Sequence, residues 1–353
     1  MEPPLAPYPV SLTSVSTIAS SESAPPPETQ VRTPAKANGL SVQDVRQRMR
    51  LLTLREQPLI NAYFTKFQPS VCELTFANLL NWNSTYPHYL GKASPHCFCE
   101  VDGHLLIGFY DKLDRLKLYQ PVGPEPEKLI VELNRESAAL KWTCVEESIA
   151  KKVGPESEVT SDRDNDDYIY DLREIRALSG KKFHRKRTYI KHCQECHPTV
   201  VPLTGTMTES CLEVNRKWLM DKEHPHDTDA TALEIALTNF DELTLAGIGV
   251  LINGALEAFA IGEPLNGTTY VSHFLKANYD FPGLFQYTAY AFAQSIPSSF
   301  THLNKEQDLG LEGLRIAKEG WCPCSMVRKF TIRNANWVTT TPHNTAKQGP
   351  TGE

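Results

Sequence analysis

The most constraining feature of the chain is an apolar stretch, LAGIGVLINGALEAFAIG, which runs from Leu245 to Gly262. Its length approaches that of a membrane-spanning helix. Asn253 and Gly254 interrupt the stretch at its centre, and Glu257 follows them. An Asn-Gly pair between two apolar runs is a strong signal of a β-hairpin, because both central residues of a type I′ turn need positive φ. The stretch therefore predicts two buried strands joined by a tight turn, and not a transmembrane helix.

The elements around this hairpin predict a mixed sheet covered by helices. Helical periodicity precedes it over Thr231–Phe240, and a third strand, TYVSHFLKA, follows it over Thr269–Ala277. Next come a helix over Gly283–Ile296, a short strand in FTHLN, a helix in DLGLEGLRIAKEG capped by Asp308, and a last strand in SMVRKFTIR. The predicted order of the second half is therefore α-β-β-β-α-β-α-β.

The first half of the chain carries a fainter version of the same order. CFCEVDGHLLIGFYD contains two apolar runs around an Asp-Gly pair, which predicts a second hairpin, and an amphipathic helix is expected near residues 126–139. The polar segment KKVGPESEVTSDRDNDD is predicted to be a loop. It is followed by a short strand and a long helix interrupted at Gly180. We interpret the two halves as a duplicated α/β architecture.

Length and charge limit what the chain can be. Its 353 residues allow two domains, and its formal net charge of −6 excludes a protein that binds nucleic acid over its whole surface. Any contact with RNA or anionic lipid must be local. Residues 1–45 are rich in Pro and Ser, and residues 341–353 are similar, so both are expected to be disordered tails. Between them we expect an N-terminal unit over 46–200 and a C-terminal unit over 201–340.

The nine cysteines and the N-terminal sequence favour a reducing compartment. Neither a secretory signal peptide nor an Arg-rich presequence is recognisable, so reduced thiols and a cytoplasmic location are expected. HCQECH contains one Cys-x-x-Cys, which is half of a zinc site, and CPC does not supply the other half at a standard spacing. DRDNDD lacks the Gly and the Glu that an EF-hand loop needs. We therefore expect no metal, with zinc as the open alternative.

A basic run, SGKKFHRKR, stands out in this acidic chain. On a helix, Lys182, Arg185 and Lys186 would fall on one side. One interpretation is a dock for the phosphates of a donor such as tRNA, whose binding would weaken steeply with salt. The other is pairing within the protein, with the acidic segment DRDNDD, because charge runs are usually solvated or paired.

Six motifs occur in an order that resembles one known family. They are ELTFANLLNW, DRDNDDYIYD, LSGKKFHRKR, AFAIGEPLN, HFLKAN and DLGLEGLRIAK. Together they resemble the C-terminal domain of phosphatidylglycerol lysyltransferase, over roughly residues 50–335. The resemblance implies two GNAT-like acyltransferase units in tandem. It also implies transfer of an aminoacyl group from an aminoacyl-tRNA to a lipid hydroxyl, although many relatives have no assigned reaction.

The resemblance places the chemistry in the central cleft of the second unit, where adjacent strands diverge. Aminoacyl transfer needs a group that takes the proton of the nucleophile, and donors for the developing oxyanion. The resemblance suggests catalytic roles for Lys276 at a strand end, Glu263 at the end of the hairpin, and Asp308 before the last helix. Each has a structural alternative, which for Asp308 is the N-cap of that helix.

Four further residues are expected to bind substrate in the same cleft. Arg315 and Lys318 lie one turn apart and could share a face that binds phosphate or carboxylate, or could pair with a neighbouring glutamate. Gln286 lies in the helix after the third strand, close to the turn at which a GNAT core holds the phosphates of its acyl carrier. Asn304 ends the strand before the DLGLEGLRIAK helix.

The chain departs from the family pattern at two places. Leu275 stands where a carboxylate is expected in the third strand, and Asn304–Asp308 spells NKEQD where NREED is expected. Gly283 alone is not the Gly-rich cradle of a coenzyme A site. The expected donor is aminoacyl-tRNA, without a tightly bound cofactor, and the expected acceptor is a lipid or another small molecule. Peripheral membrane contact is left open. The alternatives are a GNAT enzyme that uses an acyl-CoA, and a non-catalytic binding module.

Overall fold

The computed structural model describes residues 40–83, 94–137, 140–220 and 229–335. These residues form two compact units. The first comprises Ser41–Asp166 and the segment from Val327, and the second comprises Asp167–Met326. The boundary predicted between residues 200 and 201 lies inside the second unit. Residues 167–200 belong to the second unit because the strand that contains Asp171 pairs with a strand from much later in the chain. In that pair Asp171 lies opposite His302.

The described helices and strands of the first unit are α1 (Val42–Arg48), β1 (Arg50–Leu51), α2 (Gln57–Phe67), α3 (Phe76–Asn81), β2 (Cys97–Val101), β3 (His104–Tyr110), β4 (Leu116–Tyr119), α4 (Pro126–Glu136), β5 (Lys141–Glu146), α5 (Glu147–Ala150), β6 (Ser157–Ser161) and, from the C-terminal segment, β14 (Lys329–Asn334). Those of the second unit are β7 (Asp167–Asp171), α6 (Leu172–Ala177), α7 (His184–Gln194), β8 (Thr199–Pro202), α8 (Thr208–Met220), α9 (Ala230–Thr238), β9 (Ala246–Ile252), β10 (Ala255–Pro264), β11 (Thr269–Ala277), α10 (Leu284–Ser295), β12 (His302–Asn304), α11 (Glu312–Glu319) and β13 (Ser325–Val327).

The strands of the first unit form a mixed sheet in the order β1-β2-β3-β4-β5-β14-β6. The predicted Asp-Gly hairpin is confirmed, since Asp102 and Gly103 have φ of 46° and 78° and join β2 to β3, as a type I′ turn requires. β4 and β5 are parallel, with Lys117 opposite Lys141. Parallel neighbours need a crossover, and α4, the amphipathic helix predicted near residues 126–139, provides it.

The segment predicted to be a loop between residues 151 and 167 contains a strand. β6 pairs antiparallel with β14, from Ser157 opposite Asn334 to Ser161 opposite Phe330. The residues of β6 are mostly exposed, so the segment lacks the apolar signal of a buried strand. The loop prediction for this segment was wrong because β6 forms by pairing with β14, which belongs to the far end of the chain.

The N-terminal limit of the described chain is a capped helix. Residues 1–39 of the predicted tail, and the whole predicted tail at 341–353, lie outside the described residues. Ser41 and Asp44 form a capping box at the start of α1, which stabilises the helix by satisfying backbone N–H groups that have no helical partner. Helical structure therefore begins at Val42, inside the segment 1–45 that was assigned to the tail.

The strands of the second unit form a mixed sheet in the order β13-β7-β12-β11-β10-β9-β8. The predicted Asn-Gly hairpin is confirmed, since Asn253 and Gly254 have φ of 52° and 81° and join β9 to β10. β11 has the predicted bounds, and α10 packs on the sheet and buries Tyr287, Phe292 and Ala293. Every helix of the described ranges is too short or too polar to cross a bilayer.

The two sheets confirm the predicted α/β class of the fold. Within the described ranges each sheet has seven strands, a tight hairpin and a parallel pair connected by a helix, β4 with β5 in the first and β11 with β12 in the second. The helix predicted before residue 200 with an interruption at Gly180 is present as α6 and α7, which Gly180 separates with φ of 79°. β8 and α8 had no counterpart in the sequence analysis.

Two irregularities of β11 open the sheet of the second unit. β12 pairs with the first three residues of β11 and stops where Asn304 lies opposite Val271. β11 continues to Ala277, so the two strands part beyond Asn304. On its other edge, Gly262 of β10 lies opposite Ser272 while Ile261 lies opposite Phe274. His273 is the extra residue of this β-bulge, a distortion that turns a side chain out of the regular alternation.

Candidate functional site

The candidate site is built on residues 305–311, the loop that follows β12. Asn304 fixes the start of this loop, because its amide donates to Asp167 Oδ2 at 3.0 Å and its Oδ1 accepts from the Glu306 N–H at 2.7 Å. Glu306 and Leu309 have positive φ of 57° and 55°, a region that non-glycine residues rarely adopt and that recurs at functional sites. Asn304, expected to bind substrate, is fully buried and shapes the loop.

His273 lies between two carboxylates where β11 and β12 part. Its Nδ1 is 2.8 Å from Glu306 Oε1, and its Nε2 is 2.9 Å from Glu263 Oε1. The His273 side chain is only 2% exposed, whereas those of Glu263 and Glu306 are 13% and 20% exposed. Three elements, β10, the bulge of β11 and the loop after β12, therefore place two partly accessible carboxylates around one buried imidazole.

The carboxylates decide the charge of this triad. Burial opposes a charge on His273, but the hydrogen bonds that its ring N–H groups donate to Glu263 and Glu306 outweigh burial and raise its pKa to about 9. At neutral pH the imidazole is therefore protonated, and the triad of one cation and two anions has a net charge of −1. Both ring nitrogens donate to carboxylates, which leaves no imidazole lone pair for a metal ion.

Asp308 is enclosed by hydrogen-bond donors. One carboxylate oxygen accepts from Tyr168 Oη at 2.6 Å and Arg315 Nε at 2.9 Å, and the other accepts from the Gly310 N–H and a second Arg315 nitrogen. Asp308 is fully buried. It does not cap the last helix as predicted, because α11 begins four residues later with Leu311 at its N-cap. Asp308 ties the loop to β7 and α11.

Arg315 and Lys318 attach α11 to the same loop. Arg315 pairs with Asp308, with its Nε 2.9 Å from Asp308 Oδ2. Lys318 Nζ donates to the backbone carbonyls of Lys305, at 2.6 Å, and Gln307. Both side chains thus contact the loop after β12. Arg315 donates to the Asp308 carboxylate and Lys318 donates to the loop backbone.

Lys276 belongs to a different cluster. It lies on β11 beyond the bulge, is 2% exposed, and donates to Asp229 Oδ1 at 2.6 Å. Its ammonium group stands 3.4 Å from the centroid of the Trp218 ring, a cation–π contact. Five of the predicted site residues therefore lie in or around the loop after β12: Glu263, Asn304, Asp308, Arg315 and Lys318. The Lys276 ammonium group instead contacts Asp229 and Trp218.

The start of α10, where a GNAT core would hold carrier phosphates, is closely covered. Gly283 has φ of 83°, and a Cβ on it would lie 2.0 Å from the backbone oxygen of Tyr189 in α7. The glycine is thus required for the close approach of α7. Gln286, expected to bind substrate, lies in the first turn of α10 and is half-buried.

The basic run divides between two environments. Lys182 pairs with Glu174 at 2.7 Å on the surface, so its carboxylate partner is a neighbour in α6 and not the DRDNDD segment. Arg185 is exposed. Lys186 turns inward and places its ammonium group 4.7 Å from the centroid of the Trp321 ring. Lys186 shares this ring with the loop after β12, because the Lys305 ammonium group lies 5.0 Å from the Trp321 centroid.

Lys305 was not singled out by the sequence, yet its environment is unusual. Its ammonium group lies 5.5 Å from the Tyr170 ring as well as 5.0 Å from Trp321. Burial, with repulsion from Lys318 and Lys186, lowers its pKa to about 7. The sequence signal was only the lysine that replaces the expected arginine in NKEQD. A cavity of about 10 Å³ beside it has room for about one water molecule.

Comparisons with known proteins agree with this architecture. The family described as phosphatidylglycerol lysyltransferase, C-terminal, matches residues 64–333. A conserved protein of unknown function from Bacteroides thetaiotaomicron is 28% identical, with a TM-score of 0.73 over 81% of this chain and 99% of that chain. A search of curated proteins found no match.

Two solved structures of lower identity share the fold. L-PGS from Bacillus licheniformis is 14% identical, with a TM-score of 0.54 over 80% of this chain and 93% of that chain. FemX is 10% identical, with a TM-score of 0.51 over 80% of this chain and 96% of that chain. The predicted tandem of two GNAT-like units is therefore confirmed as the fold.

Proposed function

Because the chain belongs to the family of phosphatidylglycerol lysyltransferase C-terminal domains, we propose that it is an aminoacyltransferase. It takes an aminoacyl group from an aminoacyl-tRNA and passes it to a lipid or another small acceptor. The observation that carries this proposal is the Glu263–His273–Glu306 triad at the point where β11 and β12 part. The fold and the family support an acyltransferase-like class, and the donor and the acceptor are our proposal.

The charge of the triad suits an aminoacyl donor. An aminoacyl ester carries an α-ammonium group, and a site with a net charge of −1 attracts such a cation. Carboxylate oxygens accept hydrogen bonds from an ammonium group, and charge-assisted bonds of this kind are the strong ones. Glu263 and Glu306 keep 13% and 20% of their side chains accessible. The triad thus binds the amino group and orients the ester beside it.

The transfer step needs one proton acceptor. The hydroxyl or amine of the acceptor attacks the ester carbonyl, a new bond forms to the carbonyl carbon, and the bond from that carbon to the ribose oxygen of the tRNA breaks. We assign the acceptor's proton to Glu306, the more accessible carboxylate, which then returns it to the departing ribose oxygen. His273 is already protonated and holds Glu306 in place. Asp308 acts as a positioning residue through Arg315 and Tyr168.

One contact favours tRNA over coenzyme A as the carrier. The pyrophosphate of a coenzyme A would have to reach the amide groups at the start of α10. At this turn the Tyr189 backbone of α7 approaches Gly283 so closely that no Cβ fits between them, which leaves little room for a pyrophosphate beside Gly283. An aminoacyl-tRNA places no such demand on this turn.

The proposal is tested by transfer from labelled aminoacyl-tRNAs. The full chain is incubated with a mixture of charged tRNAs and, in separate reactions, with lipid vesicles and with a pool of small hydroxyl and amine acceptors. We expect a labelled product in one arm, and Glu306→Gln should lower its rate at least about 100-fold, the usual contribution of a general base. Glu312→Gln changes an exposed glutamate of α11 and should leave the rate unchanged. Absence of product in every arm, or full activity of Glu306→Gln, overturns the proposal.

A further inference from the structure

The nine cysteines of the chain fall into two groups. Six of them are buried: Cys72, Cys97, Cys99, Cys144, Cys193 and Cys211. Burial raises the pKa of such a thiol, as it does for Cys193 and Cys211, each to about 12. These thiols react slowly because the thiolate is the nucleophile. The accessible cysteines are Cys196, Cys322 and Cys324, which all belong to the second unit.

Cys322 and Cys324 lie on either side of Pro323, in the turn between α11 and β13. The pyrrolidine ring of Pro323 fixes its φ at about −65°, and an extended proline advances the chain by about 3.1 Å per residue. The Cα atoms of the two cysteines are then about 6 Å apart, a separation that a disulfide bridges without movement of the backbone.

Backbone hydrogen bonds hold both ends of this turn. The N–H of Cys322 donates to the Glu319 carbonyl at 2.8 Å, and the N–H of Cys324 donates to the Ile169 carbonyl at 2.8 Å. Cys322 has a positive φ of 57°, a conformation that non-glycine residues rarely adopt and that recurs at functional sites. The turn is therefore fixed, while Cys324 is exposed and Cys322 is half-buried.

Two lysines place positive charge near Cys322. The Lys186 ammonium group lies 4.7 Å from the ring centroid of Trp321, the residue that precedes Cys322. Burial and the neighbouring Arg185 lower the pKa of Lys186, and the sulfur of Cys322 acts in the opposite direction. Lys182, whose pKa is raised chiefly by its carboxylate partner, also interacts with that sulfur. Neighbouring ammonium groups favour a thiolate, which is the form that attacks a disulfide.

We propose that Cys322 and Cys324 are a redox-active pair that forms a reversible disulfide by exchange with a low-molecular-weight disulfide such as glutathione disulfide. The Cys322 thiolate attacks one sulfur of glutathione disulfide, which forms a mixed disulfide and releases one glutathione thiolate. Cys324, which in the reduced protein donates its S–H to the Ile169 carbonyl at 3.3 Å, then loses its proton and attacks Cys322 Sγ. The second glutathione thiolate leaves. The pair thus gives up two electrons and two protons, and glutathione disulfide becomes two thiols.

The pair lies close to residues that contact the loop after β12. Trp321 precedes Cys322, and its ring centroid is 5.0 Å from the ammonium group of Lys305, the residue directly before Glu306. Disulfides in proteins of a reducing compartment are usually transient and are catalytic or redox-sensing. The inference concerns oxidation of the pair alone. It can hold when no aminoacyl transfer is detected, because its test contains no aminoacyl donor.

The test measures the oxidation state of the pair in the full chain. Reduced protein is equilibrated with mixtures of glutathione and glutathione disulfide, free thiols are blocked with N-ethylmaleimide, and tryptic peptides are analysed by mass spectrometry. Lys318 and Arg328 place both cysteines in one peptide, residues 319–328. We expect this peptide to lack two hydrogen atoms and to carry no maleimide, and a thiol reductant to reverse both changes. Full blocking by maleimide at every ratio, a mixed disulfide that persists in wild type, or a disulfide to Cys196 overturns the proposal.

Single variants assign the order of attack. Cys324→Ser removes the second thiol, so the mixed disulfide with glutathione should accumulate on Cys322. In Cys322→Ser, the remaining thiol of the pair should react with glutathione disulfide at least about tenfold more slowly, because the thiol beside the two lysines is gone. Cys196→Ser, at an accessible cysteine outside the pair, should oxidise like wild type. Thermal unfolding of the reduced variants is the folding control, and equal reaction rates of Cys322 and Cys324 would overturn the assigned order.

A charge variant tests the activation of Cys322. In the Cys324→Ser background, Lys186→Met should lower the rate at which iodoacetamide alkylates Cys322 at neutral pH by at least about twofold, because a nearby cation that favours the thiolate is gone. Lys191→Met, at an exposed position of the same helix, is the matched control and should leave that rate unchanged. Equal rates in the two lysine variants would overturn the role of Lys186.

Discussion

His273 shows how two neighbours decide the role of one residue. A buried histidine is ordinarily neutral, because burial disfavours its charged form. Here Glu263 and Glu306 each accept one of its ring N–H groups, and the balance favours the imidazolium. The histidine therefore cannot act as the base of the reaction, and that task falls to a carboxylate.

The charge of His273 predicts a pH dependence of stability. Its folded pKa, about 9, lies above its ordinary value near 6.5. The stabilisation is therefore fully present below about pH 6.5 and is lost as the pH rises through 9. Between these limits, wild type should lose at most about 3 kcal/mol relative to His273→Gln. Urea unfolding of both proteins across this pH range measures the difference between their free energies of unfolding. Titrating groups that do not contact His273 contribute equally to both proteins and cancel in this difference. Parallel profiles would show that His273 is not protonated in the fold.

At the residue scale the sequence predicted only part of this triad. Glu263 was identified from its place at the end of a strand, whereas His273 and Glu306 were not paired with it. The bulge that turns His273 toward both carboxylates depends on the register between β10 and β11. The position of Glu306 depends on the left-handed backbone after Asn304. Neither has a local sequence signal.

Among the secondary-structure elements, those with a local sequence signal were predicted correctly, and those that depend on pairing with a distant strand were missed. The two hairpins were predicted because Asp-Gly and Asn-Gly pairs determine their turns, and β11 was predicted from its own apolar pattern. β6 was missed because it forms only against β14, far along the chain. The predicted start of α11 was wrong. Asp308 is a typical N-cap residue, but its carboxylate accepts hydrogen bonds from Arg315 and Tyr168 instead.

The junction of α7 and α10 depends on Gly283. Gly283→Ala should lower the free energy of unfolding by roughly 2–4 kcal/mol, because a side chain there meets both a positive φ and the Tyr189 carbonyl. Gly313→Ala is the matched control, since Gly313 lies in α11 with no atom within 4 Å of the added Cβ. It should stabilise by up to about 1 kcal/mol. Urea unfolding measures both, and equal stabilities would contradict the close contact.

For the whole molecule, net charge limits how a polyanion can bind. The chain carries −6 overall, so a tRNA is repelled at long range and attracted only by a local patch. Lys181 and Arg185 are exposed cations of the basic run, whereas Lys182 pairs with Glu174 and Lys186 contacts Trp321. Contact between Arg185 and a phosphate would release a counterion, and the affinity would then depend on salt.

The last prediction follows from this distribution of charge. Arg185→Glu should weaken tRNA binding and make the slope of log affinity against log salt shallower by about one unit, the contribution of roughly one phosphate contact. Lys66→Glu, at an exposed position in the first unit, is the control because both changes take the formal charge from −6 to about −8, one cation lost and one anion gained. Filter binding between 50 and 200 mM salt, roughly the range over which such contacts are resolved, gives both slopes. If the two variants weaken binding equally, only net charge matters and the basic run is not a dock. If Arg185→Glu alone changes the slope, the positive charge of this run contacts the RNA.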